Sequence, residues 1–217
     1  MHSLFIHLTV AALLVVSTGA RAQDAKVETD ACAECHKEDD RAGRGSAYKQ
    51  VEASIHRSLK CVDCHSTISA EAALSGAKPP HGVRVETVRC GECHEEESES
   101  YKKHGRLETG KDPDLPVCAS CHGTHDILPS SDRQSHVHPI NLPTTCRNCH
   151  TDMDLVKKHF MLRDAPIKMY ESSVHGQATQ KGLYVAAGCH DCHSAEDSKG
   201  RRTAHRILSP ADPKSTI

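Results

Sequence analysis

The chain has 217 residues and a formal net charge of −2; 26% of its residues are charged, 3% are aromatic and none is tryptophan. Such a composition is too poor in large apolar side chains for a conventional core, and by itself it is typical of a loop-rich or disordered polymer. Because no basic stripe is present, the charge pattern excludes a typical nucleic-acid-binding surface.

The first element, residues 1–22, predicts a secretory signal peptide. An apolar run at residues 8–16 precedes the small-residue cleavage pattern Ala20-Arg21-Ala22, and it is shorter than the roughly 20 residues that span a bilayer. An uncleaved anchor is the alternative, because no Lys or Arg precedes the run. Cleavage after Ala22 would leave residues 23–217 as one domain, periplasmic or otherwise exported, with no later stretch apolar enough for a membrane helix.

All 12 cysteines of the chain lie in six CxxCH motifs. Paired CxxC sequences are compatible with zinc knuckles, with disulfides or redox pairs, and with c-type haem attachment. The six sets of motif residues are Cys32, Cys35 and His36; Cys61, Cys64 and His65; Cys90, Cys93 and His94; Cys118, Cys121 and His122; Cys146, Cys149 and His150; and Cys189, Cys192 and His193.

The histidine that follows each pair distinguishes these alternatives. With 18 histidines in 217 residues, six matches in six motifs have a chance probability on the order of one in a few million. Zinc and disulfides need nothing at that position, whereas a c-type haem needs two thiols for its covalent attachment and an adjacent axial imidazole for its iron. The sequence therefore predicts six covalent haems c. They would supply the missing core, so that the fold depends on its cofactor.

Ten histidines remain outside both the signal peptide and the motifs, enough to give every iron a second axial ligand. Methionine, the other common distal ligand, is scarce, so bis-histidine ligation and low potential are expected. A repeat of the form His, CxxCH, His, CxxCH selects six distal ligands: His56, His81, His104, His125, His175 and His205. If one of these six is not a ligand, His136 and His138 are the next candidates for a distal ligand, followed by His159. His190 is expected to face solvent.

The link between His122 and His125 is short. Three residues span at most about 11 Å when extended, and the two axial ligands of one iron lie on opposite faces of the porphyrin. His125 is therefore expected to reach a different haem from the one that His122 holds, which would place two haems side by side.

The expected fold class is mainly α, with extensive irregular loops and little strand, built around the haems. Ser46 is expected to cap a helix that runs to about Arg57. Further helices are predicted at 91–104, ended by Gly105; at 145–160; and from Asp164 to His175, ended by Gly176. Loops rich in Pro, Gly and Ser are predicted at 66–89, 107–117, 123–144 and 194–217.

The motifs and the segments "SVHG…CHDCH" and "CHGTHDI…TCRNCH" resemble those of multihaem c-type cytochromes exported by anaerobically respiring bacteria, over nearly all of residues 23–217. The resemblance implies electron transfer between a membrane partner that oxidises quinol and periplasmic or outer-membrane acceptors. It implies redox protein partners. A multihaem reductase of a small nitrogen or sulfur oxyanion, with one open haem site, is the alternative. The CxxCK motif that marks the open iron in pentahaem nitrite reductases is not present in the sequence. Haem storage or a structural filament is a third.

The C-terminal repeat predicts a further haem. The segment after His125 leads to the motif at Cys146, whereas the matching segment after His205 reaches residue 217 without another CxxCH. We expect either a longer cytochrome or a subunit whose C-terminal edge docks against a partner's haem. The alternative is a degenerate terminal repeat that lacks its second CxxCH motif and caps the array.

Overall fold

A computed structural model of the chain describes residues 32, 33, 35–38, 46–68, 86–108, 110–161, 165–197 and 199–214. The predicted signal peptide and His81 lie outside these residues. None of the helices in the described ranges is long and apolar enough to cross a membrane.

Helices dominate the described part of the chain, which also contains one 3-10 helix, Cys90–Glu92. The nine α-helices are α1 Ala47–Ala53, α2 Cys61–Cys64, α3 Glu95–Ser100, α4 Cys118–His122, α5 Leu142–His150, α6 Met153–Lys158, α7 Ala165–Ser172, α8 Val174–Gln180 and α9 Cys189–His193. The four strands are β1 Lys103–Gly105, β2 Leu107–Glu108, β3 Ser194–Glu196 and β4 Arg202–Leu208.

The predicted N-cap of the first helix is confirmed. Ser46 has an extended backbone, and its hydroxyl accepts a hydrogen bond from the Lys49 N–H at 3.2 Å. The same hydroxyl donates to the carbonyl oxygen of Lys37, so Ser46 also joins α1 to the segment after the first motif. The helix ends at Ala53, earlier than predicted, where Ser54 is extended.

The helix predicted at 91–104 forms over only part of that range. The chain forms the 3-10 helix and the short helix α3, and His104 then lies in strand β1. Gly105 follows in a left-handed conformation (φ +63°), which glycine adopts without steric cost. The local sequence favoured a helix, but pairing with a distant strand determines the structure here.

The two later helix predictions missed a break in each segment. Residues 142–158 form α5 and α6 with Asp152 between them, whose carboxylate accepts hydrogen bonds from the N–H groups of Asp154 and Leu155. Helix α7 ends at Ser172, and Ser173 caps α8 by accepting from the Gly176 N–H at 3.2 Å. Gly176 is therefore inside a helix and does not end one.

The four strands form one sheet in the order β2-β1-β4-β3. Strands β1 and β2 form an antiparallel pair, as do β3 and β4, whereas β1 runs parallel to β4 with His104 opposite Ile207. The predictions of loops at 107–117 and 194–217 are wrong where these strands form. Because β1 and β4 are remote in sequence, no local pattern indicated their pairing.

Few apolar side chains are buried in the described part of the chain: Leu142, Val156, Ile167 and Ala195. Several large apolar residues are instead exposed, among them Phe160 (89%) and Val185 (88%). A chain of this size normally buries a much larger apolar core. The mainly helical character expected from the sequence is present, together with a small sheet.

Candidate metal centres

Four histidines of CxxCH motifs each face a histidine from elsewhere in the chain. The distances between ring centres are 5.9 Å for His56–His94, 6.0 Å for His65–His125, 6.2 Å for His104–His150 and 6.0 Å for His122–His205. Each pair joins one motif histidine to one predicted distal ligand, and the four separations are nearly equal. The pairing therefore follows the two classes of histidine that the sequence distinguished.

The separations fit two imidazoles on opposite sides of one iron. An imidazole nitrogen lies about 2 Å from a metal that it binds and about 1 Å from its own ring centre, so two axial rings have centres roughly 6 Å apart. Rotation about the axis leaves the angle between the planes free, and the observed angles range from 21° to 69°. Ordinary ring contacts also occur at 4.5–7 Å, but they do not require one motif histidine in every pair.

The motif residues are positioned by short helical turns. The motifs at Cys118 and Cys189 coincide with α4 and α9, and the motif at Cys61 with α2 and the residue after it. In a helical turn, residues i and i+3 lie on one face. Both cysteines of a motif can therefore point to the same porphyrin edge, while the histidine lies at the end of the turn.

The sheet positions two of the distal histidines. His104 in β1 is the partner of Ile207 in β4, and His205 lies two residues before Ile207. Side chains alternate along a strand, so His104, Ile207 and His205 share one face of the sheet. That face therefore presents imidazoles to the motif histidines of two consecutive motifs, the fourth and the fifth.

A backbone hydrogen bond joins the segments of the other two distal histidines. The Ile55 N–H donates to the carbonyl oxygen of Ile127 at 2.9 Å, which places the residues before His56 beside those after His125. His125 faces His65 of the second motif, and the expectation that His122 and His125 serve different haems stays a prediction. The short segment between His122 and His125 thus joins two candidate centres.

Burial favours the neutral, metal-binding form of six of the eight paired imidazoles. It lowers the pKa of His104 to about 4, with a further contribution from the nearby His150. It also lowers the pKa values of His65, His122, His125, His150 and His205. The Nδ1 atom of His65 is buried without a hydrogen-bond partner, which is costly for a polar atom.

Cysteines of consecutive motifs lie beside one another. Neighbouring thiols raise the pKa of one member of each pair, in addition to the effect of burial or of a nearby carboxylate. The pairs alternate between first and second cysteines of the motifs: Cys32 with Cys61, Cys64 with Cys93, Cys90 with Cys118, Cys121 with Cys149, and Cys146 with Cys189. The six motifs are therefore arranged in the order of the sequence.

The zinc and disulfide alternatives find no support in this arrangement. All twelve cysteines are free of disulfides. Among the described residues, the one group with the ligand spacing of a metal site is Asp112, Asp114 and His159, which contains no cysteine. Asp114 already pairs with Lys158 and with His159, each at 2.6 Å. This polar group is therefore explained by ion pairing.

The histidines that were not selected as distal ligands have other partners. His136 bonds to Asp126 at 3.0 Å, and His159 bonds to Asp114. His138 is buried; its Nδ1 accepts from the Ile140 N–H, and its ring packs against Tyr184 at 4.5 Å. His190 lies near the carboxylate of Asp191.

Two predicted sites differ from these four. His175 is exposed in α8, and the described residues show no ring contact between it and His193. His193, in turn, has no facing histidine among the described residues, although burial lowers its pKa. The prediction for His81 falls outside the described residues.

Sequence reasoning overlooked Tyr101. Its hydroxyl donates to the carbonyl oxygen of Pro116. Burial raises the pKa of Tyr101, so the phenol stays protonated. A signal was available, because a tyrosine precedes the distal histidine in each repeat, at Tyr48, Tyr101 and Tyr170.

No family model, curated protein or solved structure matches the chain. The function is therefore inferred from the motifs and from the histidine geometry.

Proposed function

We propose that the chain is an electron-transfer protein that carries six covalent haems c, with bis-histidine ligation and low potential. The observation that carries the proposal is the set of four histidine pairs at 5.9–6.2 Å, each with one motif histidine. Each iron would supply one-electron redox chemistry by cycling between its ferric and ferrous states.

The protein's own residues bind and orient the cofactors. The cysteines of each motif would hold a porphyrin edge by thioether bonds, and the motif histidine would lie on one face of the ring. His56, His104, His125 and His205 would close the opposite face, which leaves no iron position open to a small substrate at these four centres. Saturated ligation of this kind favours electron transfer over catalysis.

The order of the motifs supports a relay. Cysteines of each motif lie beside those of the next, from the first motif to the sixth. Haems attached at these cysteines would be near neighbours, which electron transfer through a protein requires. The exposed apolar side chains, such as Val117 and Leu183, would then pack against porphyrin instead of water.

The physiological place of the relay follows from the resemblance to exported multihaem cytochromes. The predicted signal peptide would send the chain to the periplasm, where the donor would be a quinol-oxidising membrane protein. The acceptors would be periplasmic or outer-membrane redox proteins.

Covalent haem content tests the proposal directly. We expect the intact mass of the purified protein to equal the polypeptide from Gln23 plus six haems, resistant to extraction by acid acetone. The double variant Cys189→Ala/Cys192→Ala should lose one haem, whereas the control His190→Ala, inside the same motif, should keep all six. Zinc in place of haem, or fewer than six haems in the unmodified protein, would contradict the assignment.

His193 supports a second candidate function, a haem reductase for a nitrogen or sulfur oxyanion. Such an enzyme needs one iron with an open distal position, and His193 has no facing histidine among the described residues. Nitrite turnover discriminates between the two functions. Consumption of nitrite by the protein and a chemical electron donor, lost in the Cys189→Ala/Cys192→Ala variant, would favour the reductase.

A further inference from the structure

The four histidine pairs follow two regular series along the chain. In the first series, the histidine that precedes an even-numbered motif faces the histidine of the next motif. His56 precedes the second motif and faces His94 of the third, and His104 precedes the fourth motif and faces His150 of the fifth.

The second series runs in the opposite direction. The histidine that follows an even-numbered motif faces the histidine of the motif two places earlier. His125 follows the fourth motif and faces His65 of the second, and His205 follows the sixth motif and faces His122 of the fourth.

His175 occupies the next position of the first series. It precedes the sixth motif by the same interval, 14 residues before the cysteine, that separates His104 from Cys118. In the first series its partner would be the histidine of a seventh motif. The structure agrees that the partner is not the sixth, because His175 and His193 are both described and make no ring contact with each other.

The second series also predicts a partner that is not among the six motifs. His193 belongs to an even-numbered motif, so its partner would be a histidine that follows an eighth motif. The module at residues 165–214 therefore has one donor imidazole and one motif histidine left over. The unpaired donor imidazole of this module could pair with a motif histidine of another two-motif module, and its unpaired motif histidine with a donor imidazole of that module.

The surroundings of His175 suit a ligand from outside. Its side chain is exposed and, within the described ranges, makes no hydrogen bond, ion pair or ring contact. Met169 and Val174 on the adjoining helical turns are 70% and 77% exposed, and together they offer an apolar surface to a porphyrin face.

The backbone around His175 is held firmly. Ser173 caps α8 by accepting from the Gly176 N–H, and a Cβ added at Gly176 would lie 2.2 Å from the carbonyl oxygen of Tyr170. Glycine is thus required for the close approach of α7 and α8. This approach fixes the direction in which His175 points.

We propose that His175 is an axial ligand of a c-type haem that is not one of the six in these 217 residues, held by another CxxCH module. The inference rests on the proposed function and specifies a partner for it. The haem belongs either to the same polypeptide or to a second chain. In both cases His175 would bind an iron whose other axial ligand is a motif histidine.

The test uses the six-haem holoprotein and a ferric haem peptide that contains one CxxCH sequence and a vacant distal position. We expect the peptide iron to become low-spin on titration with the holoprotein. The variant His175→Ala should weaken this binding by about tenfold or more, whereas the control His136→Ala, which removes another exposed imidazole, should leave it unchanged. Equal binding by the His175→Ala variant and the unmodified protein would overturn the inference.

Two measurements distinguish the two possible sources of the additional haem, the same polypeptide and a second chain. An intact mass of the protein from its natural source with more than six haems indicates the same polypeptide. Self-association in sedimentation velocity that is lost in His175→Ala indicates a second copy of this chain. A protein that contains no haem would contradict the proposed function itself, whereas six haems with no role for His175 would contradict this inference alone.

Discussion

Substitution of His125 by alanine tests the central geometry. The His125 ring lies 6.0 Å from that of His65, and the described residues place no other imidazole opposite His65. If both are axial ligands of one iron, His125→Ala removes one of the two axial bonds to that iron and leaves the other centres intact. We expect one of the six irons, roughly a sixth of the total, to change from low-spin to high-spin.

Electron paramagnetic resonance with near-infrared magnetic circular dichroism would count the high-spin iron. His136→Ala is the matched control, because His136 is paired with Asp126 instead of a motif histidine. The control should leave all spin states unchanged. Loss of more than one low-spin centre in His125→Ala would indicate that the variant perturbs the fold and not only one ligand.

Double variants locate the affected haem. The new high-spin signal should be absent when His125→Ala is combined with Cys61→Ala/Cys64→Ala, which removes the haem held beside His65. It should persist with Cys118→Ala/Cys121→Ala, which removes the haem held beside His122. The opposite result would mean that His125 binds the iron of its own motif, and the pairing inferred from the structure would be wrong.

Three further predictions concern the scaffold. Gly176→Ala should lower the free energy of unfolding by about 3 kcal/mol, measured by denaturant titration, because its Cβ would lie 2.2 Å from the carbonyl oxygen of Tyr170. Ser46→Ala should cost about 1 kcal/mol through the lost N-cap, and the exposed Ser58→Ala should cost almost nothing. Asp114→Asn should destabilise the protein at pH 7 but not in acid. Hydrogen bonds from Lys158 and His159 hold the pKa of Asp114 below its ordinary value. The contribution of Asp114 to stability is therefore present above its unfolded pKa and is lost as pH falls through its folded pKa.

Each of these scaffold predictions has a result that contradicts it. Unchanged stability in Gly176→Ala would mean that α7 and α8 do not approach as closely as described. Equal decreases in the free energy of unfolding for Ser46→Ala and Ser58→Ala would show that the N-cap hydrogen bond of Ser46 does not stabilise the protein. A constant difference between Asp114→Asn and the unmodified protein at all pH values would show that the carboxylate charge is not the stabilising feature.

The sequence by itself predicted the features that local chemistry dictates. The six CxxCH motifs predict covalent haem, because thioether attachment and the adjacent axial ligand require a fixed short spacing. The cap at Ser46 was also predictable locally, since a serine side chain at the N-cap accepts a hydrogen bond from a backbone N–H two or three residues further on. The expectation that His125 and His122 serve different haems came from the short link between them.

Only the tertiary structure decided which histidines face one another. Each pair joins residues far apart in sequence, and His104 meets its partner from a strand where the local pattern favoured a helix. Pairing of β1 with β4 fixes His104 and His205 on one face, and hydrogen bonds between distant strands leave no local pattern in the sequence. The predicted haem-attachment sites can be read from the sequence residue by residue, whereas the pairing of the histidines depends on contacts that form only when distant segments pack together.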